Sequence, residues 1–488
     1  MNLLVDSVSG VDVALAVAGP GARAFAFLVD FVFRAILGIA WYVVAAPIYY
    51  QHLTLRPPDN AGGVWFTFVI GPAVAIFFLY HIVLEVLMRG RTPGKRLASV
   101  VIVARDGATA NTGALVVRNL FRVVDSLPLM YGVGLLTSIL SADHVRIGDL
   151  AAGTLLVYDD RDAHLPAHAG DRATRWAAAD ARARRLGRGR ARDAADANQI
   201  VDDYRLLAHE LARARRRAPD SDEREYLEGA YARAHATLHY GSWNAAAALV
   251  SFFRDQLPEV VLWLRPYILW VTLLFVLSVL AGGWMVHTYP ALIRLFASPE
   301  LIATVERGEL WTHSLLNVVP SSVLSLQILT NNIVVSVFAY CAGFLFGLGT
   351  FYIVGLNGLT LGAVFAFTAQ HGLDGELFAF VVAHGCVEIS ALCLSGAAGA
   401  AVGDALIRPN TPRRADAFRA AALRSGKLLL ACALLLVGTG LIEGYISPNP
   451  RFGFAMRVFI GVGYWILMVA LLRGWFFRGM RRLEPVAT

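Results

Sequence analysis

Apolar positions in this chain gather into long unbroken runs instead of the 2- or 3.6-residue alternation of a half-buried soluble element. The runs are Ala24–Tyr50, Val64–Met88, Leu127–Leu140, Tyr267–His287, Asn332–Val354, Leu359–Thr368, Leu377–Leu406, Leu428–Ile446 and Phe454–Leu472. A bilayer core about 30 Å thick takes roughly 20 helical residues, so most of these runs predict membrane spans. Leu127–Leu140 is short, holds Pro128, Gly132 and Gly134, and has arginines on both sides; it predicts a re-entrant or interfacial hairpin in preference to a third crossing. Two short alternating segments, VVIVA at 100–104 and GTLLVY at 153–158, predict strands at the membrane's inner face. The expected fold class is an all-α polytopic membrane protein: a helical transmembrane bundle with short inner-face strands and a cytoplasmic helical insert.

The pattern changes in the middle of the chain. From Asp159 to about Tyr240, arginines interleave with acids and alanines, and Ile200, Tyr204, Leu207 and Leu211 recur at helical spacing,. After the APDSDE turn, Tyr226, Ala230 and His235 form a second amphipathic stripe. Two or three helices packed as a small bundle are expected here. A disordered linker stays open for 160–195, where the apolar face is thin. The expected organisation is a membrane module over 1–158, a charged linker and insert over 159–264, and a second transmembrane domain over 265–482.

Composition narrows the picture. With 488 residues, 57% hydrophobic and only 16% charged, the chain is neither a set of soluble domains nor a disordered or disulfide-rich scaffold. Its net charge of +7 comes almost wholly from arginine, Lys95 and Lys427 being the two lysines. The charges flank the runs as insertion into a bilayer requires, so nucleic acid is not an expected partner. Arg89, Arg91, Lys95 and Arg96 follow the second run, Arg408 to Lys427 form one basic loop, and Arg473 to Arg482 form the tail. The positive-inside rule then places both termini in the cytoplasm of a bacterial inner membrane, and the N-terminus does not read as a signal peptide. Cys341, Cys386, Cys393 and Cys432 all lie in apolar runs and read as small buried fillers. No Cys/His metal spacing, phosphate loop or nucleophile elbow is found, so neither a metal, a cofactor nor an enzymatic activity is expected.

Three motifs carry a resemblance in the first 158 residues: Gly21-Ala22-Arg23 with Asp30, the turn Arg91-Thr92-Pro93-Gly94-Lys95-Arg96-Leu97, and Arg146-Ile147-Gly148-Asp149-Leu150-Ala151-Ala152-Gly153-Thr154. This stretch resembles the RDD membrane-protein family, which takes its name from an arginine and two aspartates. The resemblance implies that Arg23, Asp30 and Asp149 are those positions, in a membrane module for which ion exchange is among the activities suggested. From about Ala173 to Arg482 the chain is similar to the family of stage II sporulation protein M. That likeness is carried by the soluble helices, Asn331-Asn332, Gly343, Gly347 and Gly349, Asn357-Gly358 with Gly362, His384-Gly385 with Glu388, and Ile442-Glu443-Gly444. It implies a membrane component of an envelope machine; the fused first module argues against carrying over a sporulation role.

Ionisable side chains at membrane depth are costly and so mark candidate sites. His384 and Glu388 are one helical turn apart, and Glu443 lies near the end of another span. With Asn331, Asn332 and Asn357 they form either a polar clamp between helices or a proton or cation site. In the first module His81, Glu85 and Arg89 share a stripe, and a network joining Arg23, Asp30 and Asp149 would make their burial tolerable. Gly343 and Gly347, then Gly399 and Gly403, sit at small-xxx-small spacing for close helix packing, within the chain or in a homodimer. Gly355, Asn357 and Gly358 predict a broken helix of the kind transporters use. The leading expectation is a non-enzymatic platform for envelope or cytoplasmic partners in the lipid bilayer; the alternative is an ion- or proton-coupled transporter using Glu388, Glu443, His384 and Asn357.

Overall fold

The computed structural model describes residues 2–5, 11–50, 69–125, 134, 137–139, 141, 144–159, 170–186, 194–217, 221–238, 250–310, 321–449 and 451–477. Most of the segment Leu127–Leu140, the loop QHLTLRPPDNAGG and most of the ELWTHSLLNVV stretch lie outside them. The described elements fall into two units, one within residues 1–35 and 79–245, the other within 36–78 and 246–481.

In the first unit β1 (Asn2–Val5) pairs antiparallel with β2 (Val13–Ala16), a hairpin that the apolar pattern did not announce. There follow α1 (Pro20–Tyr50), of which residues 20–35 belong to this unit, α2 (Gly71–Leu87), of which residues 79–87 do, and the short α3 (Pro93–Leu97). The chain then forms β3 (Val100–Ala104), α4 (Thr112–Leu120), α5 (Arg122–Asp125), α6 (Ile147–Ala152) and β4 (Thr154–Tyr158). The two segments expected as strands are β3 and β4, antiparallel with Ile102 opposite Leu156. A bridge from Val17 to Val157 ties the end of β2 to β4.

The insert is a three-helix bundle: α7 (Gly170–Leu186), α8 (Ala194–Arg217) and α9 (Asp222–Leu238). The helix α7 occupies much of the stretch where a linker was open, because Ala173, Trp176, Ala179 and Ala183 make a narrow stripe that is fully buried. Trp176, Leu207, Leu211, Leu227 and Tyr231 share one core with Val13, Leu15, Leu155 and Val157 of the strands. Insert and strands therefore fold as one body. Polar bonds cross the same seam: Tyr231 donates to the Val11 carbonyl at 3.1 Å, and Tyr204 Oη lies 2.9 Å from Tyr231 Oη and 3.1 Å from His235 Nδ1.

The second unit is built from α10 (Leu257–Thr288), α11 (Pro299–Glu306), α12 (Ser321–Cys341), α13 (Leu348–Gln370), α14 (Asp374–Val381), α15 (Gly385–Ile407), α16 (Arg414–Tyr445) and α17 (Phe454–Leu472). Among the described residues six helical segments are long and apolar enough to cross a membrane: Pro20–Tyr49, Phe252–Thr288 and the four helices α13, α15, α16 and α17. Large apolar side chains on these helices face outward, Trp270 at 70% exposure and Phe459 at 74%, as a lipid-facing surface requires. The centre is α15, whose Val387, Ala397 and Val402 are fully buried.

The structure corrects two expectations in this unit. No break occurs at Gly355, Asn357 and Gly358, which lie inside the continuous helix α13. Gly358 instead lets α13 approach α10: a methyl group there would stand 2.7 Å from Ser278 Cβ and 2.8 Å from the Phe275 carbonyl. The interruption comes earlier, between α12 and α13, where Phe346 and Gly347 take positive φ values of 55° and 82°. The basic loop after α15 is also shorter than expected, because RADAFRAAALRSGK continues as helix from Arg414, as its alanine content favours. Arg424 on that extension meets Glu259 at 2.8 Å and stacks 4.7 Å over Trp263. The glycine stripes pack against each other within the chain, Gly343 on Gly399 and Gly347 on Gly403.

Candidate functional site

Two buried polar centres stand out, one in each unit. In the first, the turn RTPGKRL is built around Asp30. Thr92 caps α3 by accepting from the Lys95 N–H at 3.2 Å and donates its own hydroxyl to Asp30 Oδ2 at 2.6 Å. Pro93 takes the first helical position, where its missing N–H costs nothing. The Gly94 N–H donates to Asp30 Oδ1 at 2.9 Å, and the Tyr80 hydroxyl donates to the same oxygen at 3.0 Å. Asp30 is thus wrapped by neutral donors and makes no direct bond to Arg23 or Asp149, contrary to the network expected from the sequence.

Arg23 and Asp149 do meet, at 2.7 Å. The rest of their network joins His81 and Glu85 of the noted stripe and Lys95 of the turn to Arg118 and Asn119, which the sequence left unassigned. Arg118 donates through Nε to Asp149 at 2.7 Å and through Nη1 to Glu85 at 3.0 Å. Lys95 and Asn119 complete the Glu85 carboxylate, the Lys95 contact being a short ion pair. His81 Nδ1 lies between the two halves, 3.9 Å from Asp30 and 4.0 Å from Glu85, without a hydrogen bond to either. Burial opposes the charge of Asp149, yet Arg118 and Arg23 outweigh it and hold this carboxyl well below the usual range. Burial pulls Lys95 down to about 8 against the attraction of Glu85. Asp125 is the exception: burial pushes it up to about 6, and its Oδ1 has no hydrogen-bond partner among the described residues. Arg34, another buried residue of α1, lies 5.7 Å from the Phe27 ring and 5.6 Å from the Phe31 ring.

The second centre lies where α15 begins and α16 ends. His384 caps the start of α15 instead of sharing its face with Glu388, and Glu388 sits in the first turns of that helix. Glu443 lies in the last turn of α16. One potential ligand atom from each of the three falls within 4.8 Å of the others. His384 Nε2 is 3.7 Å from Glu443 Oε1, while its Nδ1 is 2.9 Å from Ser447 Oγ, just past the helix end. Asn332 and Thr439 border the Glu388 carboxyl. Oε1 of Glu388 and Oε2 of Glu443 are buried without a hydrogen-bond partner, and Glu443 as a whole is only 8% exposed. Among the described residues no arginine or lysine forms an ion pair with either acid.

Of the three asparagines singled out, only Asn332 reaches this centre. Asn331 is exposed. Asn357 donates to the Ile353 carbonyl of its own helix at 2.8 Å and lines a separate cleft with Thr360, Phe365 and Leu377. Ser447 and Thr439 were not found from the sequence, since an isolated hydroxyl at a helix end carries no spacing signal.

Fold and centres together define a multi-pass helical membrane protein with two buried polar centres in separate units. Sequence models of known families agree: the RDD family model matches residues 17–153, and the stage II sporulation protein M model matches residues 271–448. The chain therefore carries an RDD module followed by a stage II sporulation protein M module. A third model, Domain of unknown function (DUF8413), matches 169–240, the three-helix insert. No curated protein and no solved structure matches the chain.

Proposed function

We propose that this chain is a non-enzymatic protein of a bacterial inner membrane that binds a proton or small cation at His384, Glu388 and Glu443 as part of ion-coupled transport. One observation carries the reading: the buried Glu443 and the half-buried Glu388 face a histidine, and among the described residues no basic side chain forms an ion pair with either acid. Buried carboxylates left without a counter-charge are expensive at membrane depth and are retained where a bound ion or proton supplies the compensation. The Arg408–Arg413 loop and the basic start of α16 lie at the opposite ends of the same two helices. With that loop in the cytoplasm, as the positive-inside rule has it, the centre opens toward the outer face.

The test is flux in reconstituted vesicles. Wild type should move protons or cations, and Glu388→Gln should abolish that flux while the purified protein keeps its elution volume and melting temperature. Absence of flux in the wild type would end the transport reading. A platform reading draws on a different observation, the fusion of the charged three-helix insert into the core of the first unit. It expects no wild-type flux, with Glu388→Gln lowering stability or partner recovery instead.

A further inference from the structure

We infer that the ion taken at this centre is a divalent first-row transition-metal cation, held by His384 Nε2 and one carboxylate oxygen each from Glu388 and Glu443. The inference rests on the ion-site reading above and gives that site a chemical identity.

Geometry comes first. Metal bonds of about 2.1 Å place tetrahedral ligand atoms roughly 3.4 Å apart. The His384–Glu443 separation is already 3.7 Å, and no pair in the triad exceeds 4.8 Å. Side-chain rotation about a carboxylate closes such a gap without moving either helix. The donors come from the cap of α15, its first turns and the last turn of α16, so the helix ends fix the triad in place.

The donor set then discriminates between ions. Sodium, magnesium and calcium are hard cations that favour all-oxygen cages, whereas an imidazole nitrogen suits zinc, iron, nickel and their neighbours. Charge points the same way. Two carboxylates with no arginine or lysine ion pair are neutralised by one doubly charged ion, while a monovalent ion would leave a net negative charge buried. The outer shell is present as well. In the tautomer that donates Nδ1–H to Ser447 Oγ, at 2.9 Å, the Nε2 lone pair is aimed at Glu443. A hydrogen bond of this kind to the second ring nitrogen orients metal-bound histidines generally. Asn332 and Thr439 beside Glu388 can hold its non-ligating oxygen. Glu443 Oε2 and Glu388 Oε1 have no hydrogen-bond partner among the described residues, so each carboxylate keeps bonding capacity that a bound ion can use.

Cobalt(II) is the probe. The purified chain, stripped with a chelator and titrated with CoCl2, should take up one ion per chain and develop the intense visible bands of four- or five-coordinate cobalt. Zinc should displace it. Glu443→Gln and His384→Gln should abolish the bands, and Ser447→Ala should weaken binding about tenfold. His371→Gln, in the turn after α13 and bonded to the Phe367 carbonyl, should change nothing. Weak octahedral bands alone in the wild type, or intense bands that survive both ligand variants, overturn the inference. If a ligand variant fails to fold, as judged by gel filtration, the wild-type spectrum decides by itself. Glu388-dependent flux of protons or sodium without cobalt binding would overturn this assignment and leave the ion-site reading standing. Stoichiometric cobalt without any flux would leave the assignment standing and remove transport.

Discussion

In the first unit Glu85 lies against Lys95 and Arg118, and Asp149 against Arg118 and Arg23; in the second unit Glu388 and Glu443 face each other and a histidine. All four acids are removed from water, so all four carry a desolvation cost of several kcal/mol that must be met locally. The first pair is met by cations belonging to the chain itself, which makes that centre a closed staple joining α1, α2, α4 and α6. For the second pair no such cation is present among the described residues. On the ion-site proposal the difference separates a structural centre from one completed by a bound ion, and it makes Arg23 and Asp149 of the first module weaker candidates for transport than the acids of the second.

The comparison can be broken most forcefully at Arg118. Arg118→Met removes one cation from both Glu85 and Asp149, and breaking a buried pair in this way costs about 3–5 kcal/mol. A large fall in melting temperature in detergent is expected, and an unchanged midpoint would mean that the network is not a staple. Gly94→Ala tests the packing beneath it, because the new methyl group would run into the Ala26 carbonyl and stand 2.8 Å from Asp30 Cγ. Overpacking of that kind costs about 1–3 kcal/mol, measured by the same melt.

Asp125 sharpens the contrast from within the first unit, being an acid there with incomplete compensation. Its folded-state value is raised from 3.8 to about 6, so the folded form holds the proton more tightly than the unfolded chain does. The stability it contributes is therefore present at low pH and is lost as pH rises from about 4 to about 6. Asp125→Asn should flatten that segment of the stability profile and stabilise the protein at pH 7 by something of the order of 1–2 kcal/mol. A variant less stable than wild type at pH 7 would contradict the assignment. The smallest effect is expected at Glu443→Gln in metal-free protein, which removes an uncompensated acid and should leave the melting temperature unchanged within about 0.5 kcal/mol or raise it. A loss comparable to that of Arg118→Met would make the second centre a staple too.

Much of the candidate chemistry could be read in advance, but its pairing could not. Asp30, His384, Glu388 and Glu443 stood out because ionisable groups inside apolar runs are rare enough to notice, while Arg23 and Asp149 were marked only by the RDD resemblance. Glu85 was noticed as part of a stripe, yet its role as a hub depends on Arg118 and Asn119, which lie 33 and 34 residues away in the chain. Asn357 looked like part of a broken helix, since glycine and asparagine are weak helix formers. Propensity lost to packing there, because the glycine that weakens α13 also lets it lie close against α10.

The order and length of the apolar runs were determined by sequence alone, because the bilayer's thickness sets a local requirement that one stretch of chain meets or fails by itself. The strand pair flanking the Arg-Ile-Gly-Asp motif and the helical insert were legible for the same reason: their periodicities are short-range. Tertiary structure decided which acid has a cation beside it and which does not. Electrostatic compensation acts over a few ångströms in space; Lys95 lies ten residues from Glu85, but Arg118 lies 33 residues from it and Arg23 lies 126 from Asp149, so no short window of sequence contains the whole network. The same limit applies to the core that joins the insert to the strands, where small alanine faces carry little signal until a neighbouring surface covers them.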